Sequence, residues 1–158
     1  MRFYTIDGNF LKYLKSLEPK IHENYGNPRP YIGILLSING FDYYAPLSSY
    51  KAKQDSIKNI TVFKLHEKGN LENKLGVIHL NNMCPVPISQ LTEVVIDFNT
   101  KYGRLLQNQY EYILHYQDNI QKQAERLYAS VREGKSFLKD LSCDFQMLEE
   151  AVQNWNQK

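Results

Sequence analysis

The stretch "PYIGILLSINGFDYYAPL", residues 30–47, decides the fold class. Two runs rich in Ile, Leu, Tyr and Phe meet across Asn39-Gly40, a pair suited to a two-residue type I′ turn because both central positions take positive φ. A turn this tight fixes the register of the strands it joins. With Ile38 opposite Phe41, the expected pairs are Leu36–Tyr43, Ile34–Ala45 and Ile32–Leu47, and further out Pro30–Ser49, Arg29–Tyr50 and Pro28–Lys51. Proline has no N–H to give the ladder, so regular pairing is expected to fail there and free the two ends as loops. The segments "NYGNPRP" at 24–30 and "SSYK" at 48–51 then leave the same end of one hairpin, and Tyr25, Arg29, Ser48, Ser49 and Lys51 meet in one place.

Outward from the hairpin, "RFYTI", "ITVFKLHE" and "KLGVIHL" read as further short strands, separated by turn-forming Gly and Asn. "DGNFLKYLKSLEP" reads as a helix capped by Asp7. Beyond residue 98 the pattern changes. Tyr102, Leu105, Gln109, Ile113, Tyr116, Ile120, Ala124, Leu127 and Val131 recur every three or four residues, which predicts one long amphipathic helix or two in line. A last helix is expected after Asp144. The class is therefore α+β: an antiparallel sheet with a long C-terminal helical elaboration, in a single domain spanning residues 1–158.

Composition narrows the function classes. The 158 residues are 42% hydrophobic and 23% charged, the balance of a folded chain. Two cysteines, Cys84 and Cys143, lie far apart with no CxxC spacing, so neither a disulfide framework nor a zinc site is indicated. The N-terminus lacks the apolar core of a signal peptide and no stretch is long enough to span a membrane, so a cytoplasmic location is expected. Charge is uneven: residues 1–75 hold eleven Lys or Arg against seven Asp or Glu, and residues 76–158 hold eight against ten. The basic half is where a phosphate-bearing partner would sit, with Lys51, Lys53, Lys58 and Lys64 the first candidates for phosphate contacts.

The hairpin end carries the chemistry. Two cations can hold a phosphodiester and offset charge on a five-coordinate transition state, while hydroxyls and a phenol donate to its oxygens. A lysine beside another cation can exchange protons with the attacking or leaving oxygen, whereas Arg29 stays charged and can only clamp. His66 in "FKLHE" is a secondary source of a proton near neutral pH. No His, Cys or carboxylate cluster stands at ligand spacing, so neither metal nor other cofactor is expected. Ser48-Ser49-Tyr50-Lys51 also reads Ser-x-x-Lys, the acyl-enzyme signature, but its companions Ser-Asp-Asn and Lys-Thr-Gly are missing.

The ordered blocks "RFYTI", "YGNPRPYIGILLSINGFDYYAPLSSYK", "FKLHEKGNLENKLGVIHLNNMCPVP" and "CDFQMLEE" cover most of the chain. In them the sequence resembles the ToxN/AbiQ/CptN family of type III toxin-antitoxin endoribonucleases. The resemblance implies a small, strongly curved antiparallel sheet of MazF/Kid type. It also implies metal-independent RNA cleavage leaving a 2′,3′-cyclic phosphate and a 5′-hydroxyl, and inhibition by a small pseudoknot RNA processed from a tandem-repeat transcript, in a closed protein–RNA assembly. By motif, Ser49 matches the family's essential serine, Ser48 the threonine or serine before it and Lys51 the nearby catalytic lysine. Tyr25 and Arg29 match an active-site tyrosine and a basic residue that can be lysine. Lys53, Lys58, Lys64 and His66 complete the expected RNA-binding surface. Two other classes fit the residues alone: a noncatalytic RNA-binding module, which would not cut RNA, and a serine hydrolase using Ser48 and Lys51, which an acyl probe would label.

Overall fold

The computed structural model describes residues 1–24, 26–134 and 136–156. Among them, eight strands form one open antiparallel sheet: β1 (Arg2–Ile6), β2 (Tyr31–Gly33), β3 (Ser37–Ile38), β4 (Phe41–Ser48), β5 (Val62–Glu67), β6 (Asn70–His79), β7 (Cys84–Pro85) and β8 (Leu91–Glu93). The α-helices of the described residues are α1 (Gly8–Leu17), α2 (Lys101–His115), α3 (Gln117–Glu133), α4 (Leu138–Leu141) and α5 (Phe145–Asn156). The strand order is β5-β6-β4-β2-β1-β8, with β3 and β7 also paired to β4. The α+β architecture is the expected one. The two- and three-residue strands β7 and β8, in the proline-rich segment after β6, were not expected from the sequence, being too short to carry an alternating pattern.

The Asn39-Gly40 turn forms as expected, with φ of 54° and 80°, and Ile38 opposes Phe41. The register does not continue. Ser37 faces Asp42, but Ile32 faces Ala45 and Tyr31 faces Pro46, so the first strand carries two extra residues between these pairs. The bulge is anchored at its inner end, where the Leu35 amide donates to the Tyr43 carbonyl and the Tyr43 amide to the Leu36 carbonyl. Gly33 lies against the Tyr44 ring, where a Cβ would lie 2.2 Å from a ring carbon, so only glycine allows this approach. The expected outer pairs shift accordingly: Pro30 lies opposite Leu47, not Ser49, and Arg29 comes beside Ser48, not Tyr50.

The helices cover the sheet. Asp7 caps α1 through its Oδ2, which accepts the Phe10 amide. The long stripe resolves into two consecutive helices, broken at Tyr116, where backbone φ and ψ of −105° and 18° depart from helical values. The buried face of α2 is Gly103, Leu106, Gln109, Tyr112 and Ile113, so Tyr102 and Leu105, expected inward, point outward. The first turn sets this phase: Thr100 accepts the Gly103 amide and itself donates to the Asp97 carbonyl, turning Gly103 toward the preceding loop. Helix α5 follows Asp144 as expected, with the Met147 amide donating to Asp144 Oδ1.

The core joins both halves of the chain. Tyr43, Tyr128 and Phe145 pack ring on ring, and the buried Glu149 carboxylate accepts the hydroxyls of Tyr43 at 2.6 Å and Tyr128 at 2.7 Å. Two phenolic donors thus satisfy a carboxylate that would otherwise be costly to bury. At the other end of α5, Trp155 meets Phe10 and Tyr13 of α1. This support fixes β4, the strand that delivers Ser48 to the surface.

Candidate active site

Leu47 shows how the site is held. Its amide donates to the Pro30 carbonyl at 3.0 Å, as in an ordinary antiparallel pair. The return bond cannot form, because proline has no N–H. The Arg29 guanidinium takes its place, donating from Nη1 to the Leu47 carbonyl at 3.1 Å. The missing donor of one residue thereby fixes the cation of its neighbour next to Ser48. The loop before it is tied down by Asn24, which accepts the Arg29 amide and donates to the Ile6 carbonyl. Among the described residues, the buried Arg29 Nε has no partner.

Ser48 ends β4 and pairs with Val77 of β6. Side chains alternate along a strand, so His79 projects from the same face as Val77 and lies diagonally across from Ser48. Its Nε2 is 2.6 Å from Ser48 Oγ. Lys64 also pairs with Val77, from β5, so Ser48, Val77 and Lys64 form one cross-strand row. Ser49 and Lys51 follow on the exposed exit of the strand. The backbone of Lys51 is clipped both ways by Gln54, a buried side chain in the short 3₁₀ helix Ala52–Ser56: Lys51 N–H donates to Gln54 Oε1 at 2.7 Å, and the Gln54 amide donates to the Lys51 carbonyl.

Of the sequence-predicted residues, Arg29 and Ser48 stand on either side of Leu47 at this strand end, and Ser49 and Lys51 follow Ser48 along the exposed exit. Lys53 lies close enough for its charge to act on His79. The His66 ring packs against Tyr112 and faces Tyr50 from 6.4 Å, and among the described residues its buried Nδ1 has no partner. Lys58 is exposed past the 3₁₀ helix. Tyr25 lies outside the described residues. Ser48 takes His79 as its partner, not the Lys51 that a Ser-x-x-Lys hydrolase pairs with its serine. Beside the site Tyr50 donates to Asp55 Oδ1 at 2.7 Å and Lys74 sits 2.8 Å from the same oxygen. The Lys74 hydrogen bond, then that of Tyr50, holds the Asp55 carboxyl below its usual range.

His22 and His79, absent from the sequence-based candidates, stand with ring centroids 5.2 Å apart. Burial, then the Arg29 charge, pushes His22 down to about 4, with Lys15 acting in the same sense and a hydrogen bond to Asn82 opposing. Burial, then the charges of His22, Arg29 and Lys53, pushes His79 down to about 4. Both rings are therefore neutral at pH 7. The signal that would reveal His79 is the β4–β6 pairing, a contact between segments 31 residues apart.

This pair makes stability fall on acidification. The unfolded rings take up protons near pH 6.5 and the folded rings only near pH 4, so the unfolded state binds more protons between these values. The contribution is complete above pH 6.5 and is lost as the pH drops toward 4. Full shifts are worth about 3 kcal/mol per ring, which solvent screening of these part-exposed groups reduces to ~3 kcal/mol for the pair. Thermal melts should show a midpoint about 6–12 °C lower at pH 4 than at pH 6.5 from this source. His22→Gln should flatten that slope by about half; an unchanged slope in the variant would remove His22 from the effect.

Comparison with known proteins identifies the family. Residues 2–153 match the family model described as toxin ToxN of type III toxin-antitoxin systems. The chain belongs to the ToxN family. Over its whole length it is 34% identical to the endoribonuclease ToxN of Pectobacterium atrosepticum, covering 95% of that protein. It is 32% identical to the endoribonuclease AbiQ of Lactococcus lactis, covering 91% of it. Among solved structures, AbiQ, a lactococcal anti-phage endoribonuclease of the type III toxin-antitoxin system, superposes with a TM-score of 0.94 at 31% identity, covering 99% of this chain and 98% of AbiQ. A second, from work on a processed non-coding RNA that regulates a bacterial antiviral system, gives a TM-score of 0.89 at 36% identity, with coverage of 95% and 96%. A third concerns selective toxin inhibition by a non-coding RNA pseudoknot, with a TM-score of 0.87 at 31% identity and coverage of 99% and 98%. The ToxN-family fold thus includes the open antiparallel sheet and the helices, the C-terminal ones among them.

Proposed function

We propose that this ToxN-family chain acts as one endoribonuclease domain in a type III toxin-antitoxin system. It cuts RNA without metal by attack of the substrate's own 2′-hydroxyl on the adjacent phosphate. The observation that carries the reading is the Arg29 guanidinium held on the Leu47 carbonyl next to Ser48, with Ser49 and Lys51 following on the exposed exit of the same strand. In this reading Arg29 grips a non-bridging oxygen through its free donors, and Ser48 and Ser49 donate to the developing phosphorane charge. Lys51 exchanges a proton at the attacking or leaving oxygen or stabilises it as a cation. In-line placement of the 2′-hydroxyl supplies the remaining rate, because an intramolecular nucleophile needs only orientation. Tyr25, outside the described residues, is assigned to the catalytic group with Arg29, Ser48, Ser49 and Lys51, and Lys53, Lys58, Lys64 and His66 bind the RNA strand. The work is done on RNA in the cytoplasm, consistent with the absence, among the described residues, of any helix able to cross a membrane. The inhibitor is a pseudoknot RNA, processed by this nuclease from a tandem-repeat transcript and laid across the groove containing Ser49 and Lys51. It occludes the site and bridges neighbouring protomers, closing a ring if the rotation permits.

Purified protein treated with EDTA should cut RNA at its normal rate and leave 5′-hydroxyl and 2′,3′-cyclic phosphate ends. DNA, or RNA with a deoxynucleotide just 5′ of the scissile bond, should remain intact. Products with 5′-phosphates, or activity that appears only with added Mg²⁺, would exclude this chemistry.

A further inference from the structure

We propose that His79 is a positioning residue for RNA cleavage, acting through Ser48: its contact with Ser48 Oγ fixes the direction in which that hydroxyl faces the scissile phosphate. The inference rests on the reaction proposed above and adds a residue to it.

A serine hydroxyl has one proton and a freely rotating O–H, so an unrestrained Ser48 would present its donor to the phosphate only part of the time. Two contacts remove that freedom. His79 Nε2 lies 2.6 Å from Oγ, and the Ser49 carbonyl lies 3.4 Å away on the strand exit. If Nε2 accepted the hydroxyl proton, nothing would remain for the substrate. If Nε2–H donates to Oγ, the proton is left over; in the free protein it leans weakly on the Ser49 carbonyl, and a phosphate oxygen can take it. The second arrangement accounts for both contacts and leaves Ser48 poised as a donor.

The surroundings support positioning over proton transfer. Arg29 and Lys53 add positive charge around His79, and His22 closes the other side of its ring. Each disfavours an imidazolium, so the ring is a poor base at neutral pH, while a neutral Nε2–H is unaffected as a donor. The placement is built into the sheet: His79 is the last residue of β6 and Ser48 the last of β4, and the pairing of Leu47 with Ile78 locks their separation. Arg29 and His79 then act on the two sides of one short segment, the cation holding the Leu47 carbonyl and the ring holding the Ser48 hydroxyl.

A double-mutant cycle on purified protein tests this, with single-turnover and steady-state cleavage of one RNA and identification of its ends. His79→Phe keeps ring volume and removes the nitrogen. It should lower kcat about thirtyfold with KM changed less than about threefold, since a misdirected group costs rate more than binding. His79→Gln, which retains an N–H donor, should recover to within about fivefold of the parent. In a Ser48→Ala background, His79→Phe should cost no more than about twofold. A loss from His79→Phe that persists undiminished on Ser48→Ala, or a kcat unchanged in His79→Phe, overturns the positioning role while leaving the nuclease reading intact. A parent protein that does not cleave RNA overturns that reading and this inference with it. If His79→Phe does not fold, the same cycle with His79→Gln and His79→Leu decides: the proposal requires Gln to exceed Leu by about tenfold in kcat and the difference to vanish on Ser48→Ala.

Discussion

Ser49→Ala and Lys51→Ala should each lower RNA cleavage by at least about a hundredfold, with a fold indistinguishable from the parent. The size follows from the work assigned to the groups. Removing one donor aimed at a developing oxyanion costs about a hundredfold to a thousandfold, and removing a general acid or base costs about as much or more. The intact fold follows from location, since both residues are exposed at the exit of β4 and exposed substitutions away from caps change stability by only about 0.5 kcal/mol. The helix start after Lys51 survives because it is held by the backbone of residue 51 and the side chain of Gln54. Denaturing gels of a fixed RNA and thermal melts measure the two halves of the prediction, and toxicity on expression should fall with cleavage. Arg29→Ala should be worse than Arg29→Lys. An ammonium keeps a point charge for the phosphate but cannot also replace the fork that holds the Leu47 carbonyl, so the lysine variant should fall between parent and alanine. Full activity in purified Ser49→Ala would move the active site elsewhere.

What could be read before the structure was known divides along local and non-local lines. Asn39-Gly40 announces its turn because the requirement for positive φ is local, and Asp7 announces a helix start because a cap needs only the three residues after it. The outer hairpin register could not be read in the same way. The two-residue bulge brings Gly33 close against the Tyr44 ring, a packing relation that no alternation pattern records. The strand ends nevertheless meet, and Arg29 still reaches the site, because a shift of two residues preserves which face each side chain takes. Ser48, Ser49 and Lys51 stood out as a dense run of hydroxyls and a cation. His79 did not, because one histidine at the end of a strand acquires meaning only when β6 is known to neighbour β4. Gln54 was equally silent, its role being to hold a backbone it follows by three residues. The amphipathic stripe gave both long helices, yet its phase at Tyr102 and Leu105 was set by the capped turn at Thr100.

Binding of a single-repeat pseudoknot RNA to the cleavage-impaired Ser49→Ala protein should weaken about a thousandfold as salt rises from about 50 to 200 mM. The expectation comes from counterion release: each neutralised phosphate contributes about −0.7 to −0.9 to the slope of log affinity against log salt, and about six contacts give the stated loss. The structure sorts the cations that would make those contacts. Lys64 belongs to the Ser48 row by cross-strand register, and Lys53 lies near enough for its charge to act on His79. Replacing either by Ala should reduce the slope by somewhat less than one. Lys74 is already committed, 2.8 Å from the Asp55 carboxylate and over the Tyr50 ring at 4.9 Å. A phosphate there would have to displace an existing partner and would meet a carboxylate, so Lys74→Ala should change the slope by less than about half as much. Lys58, exposed beyond the 3₁₀ helix, separates a narrow groove from a broad one. A full-sized effect at Lys58 means that the RNA extends past the 3₁₀ helix, and none means that contacts stay near the strand ends. Salt-insensitive binding, or equal slopes for the Lys64 and Lys74 variants, would reject an RNA lying across this face, even if the nuclease assignment survived.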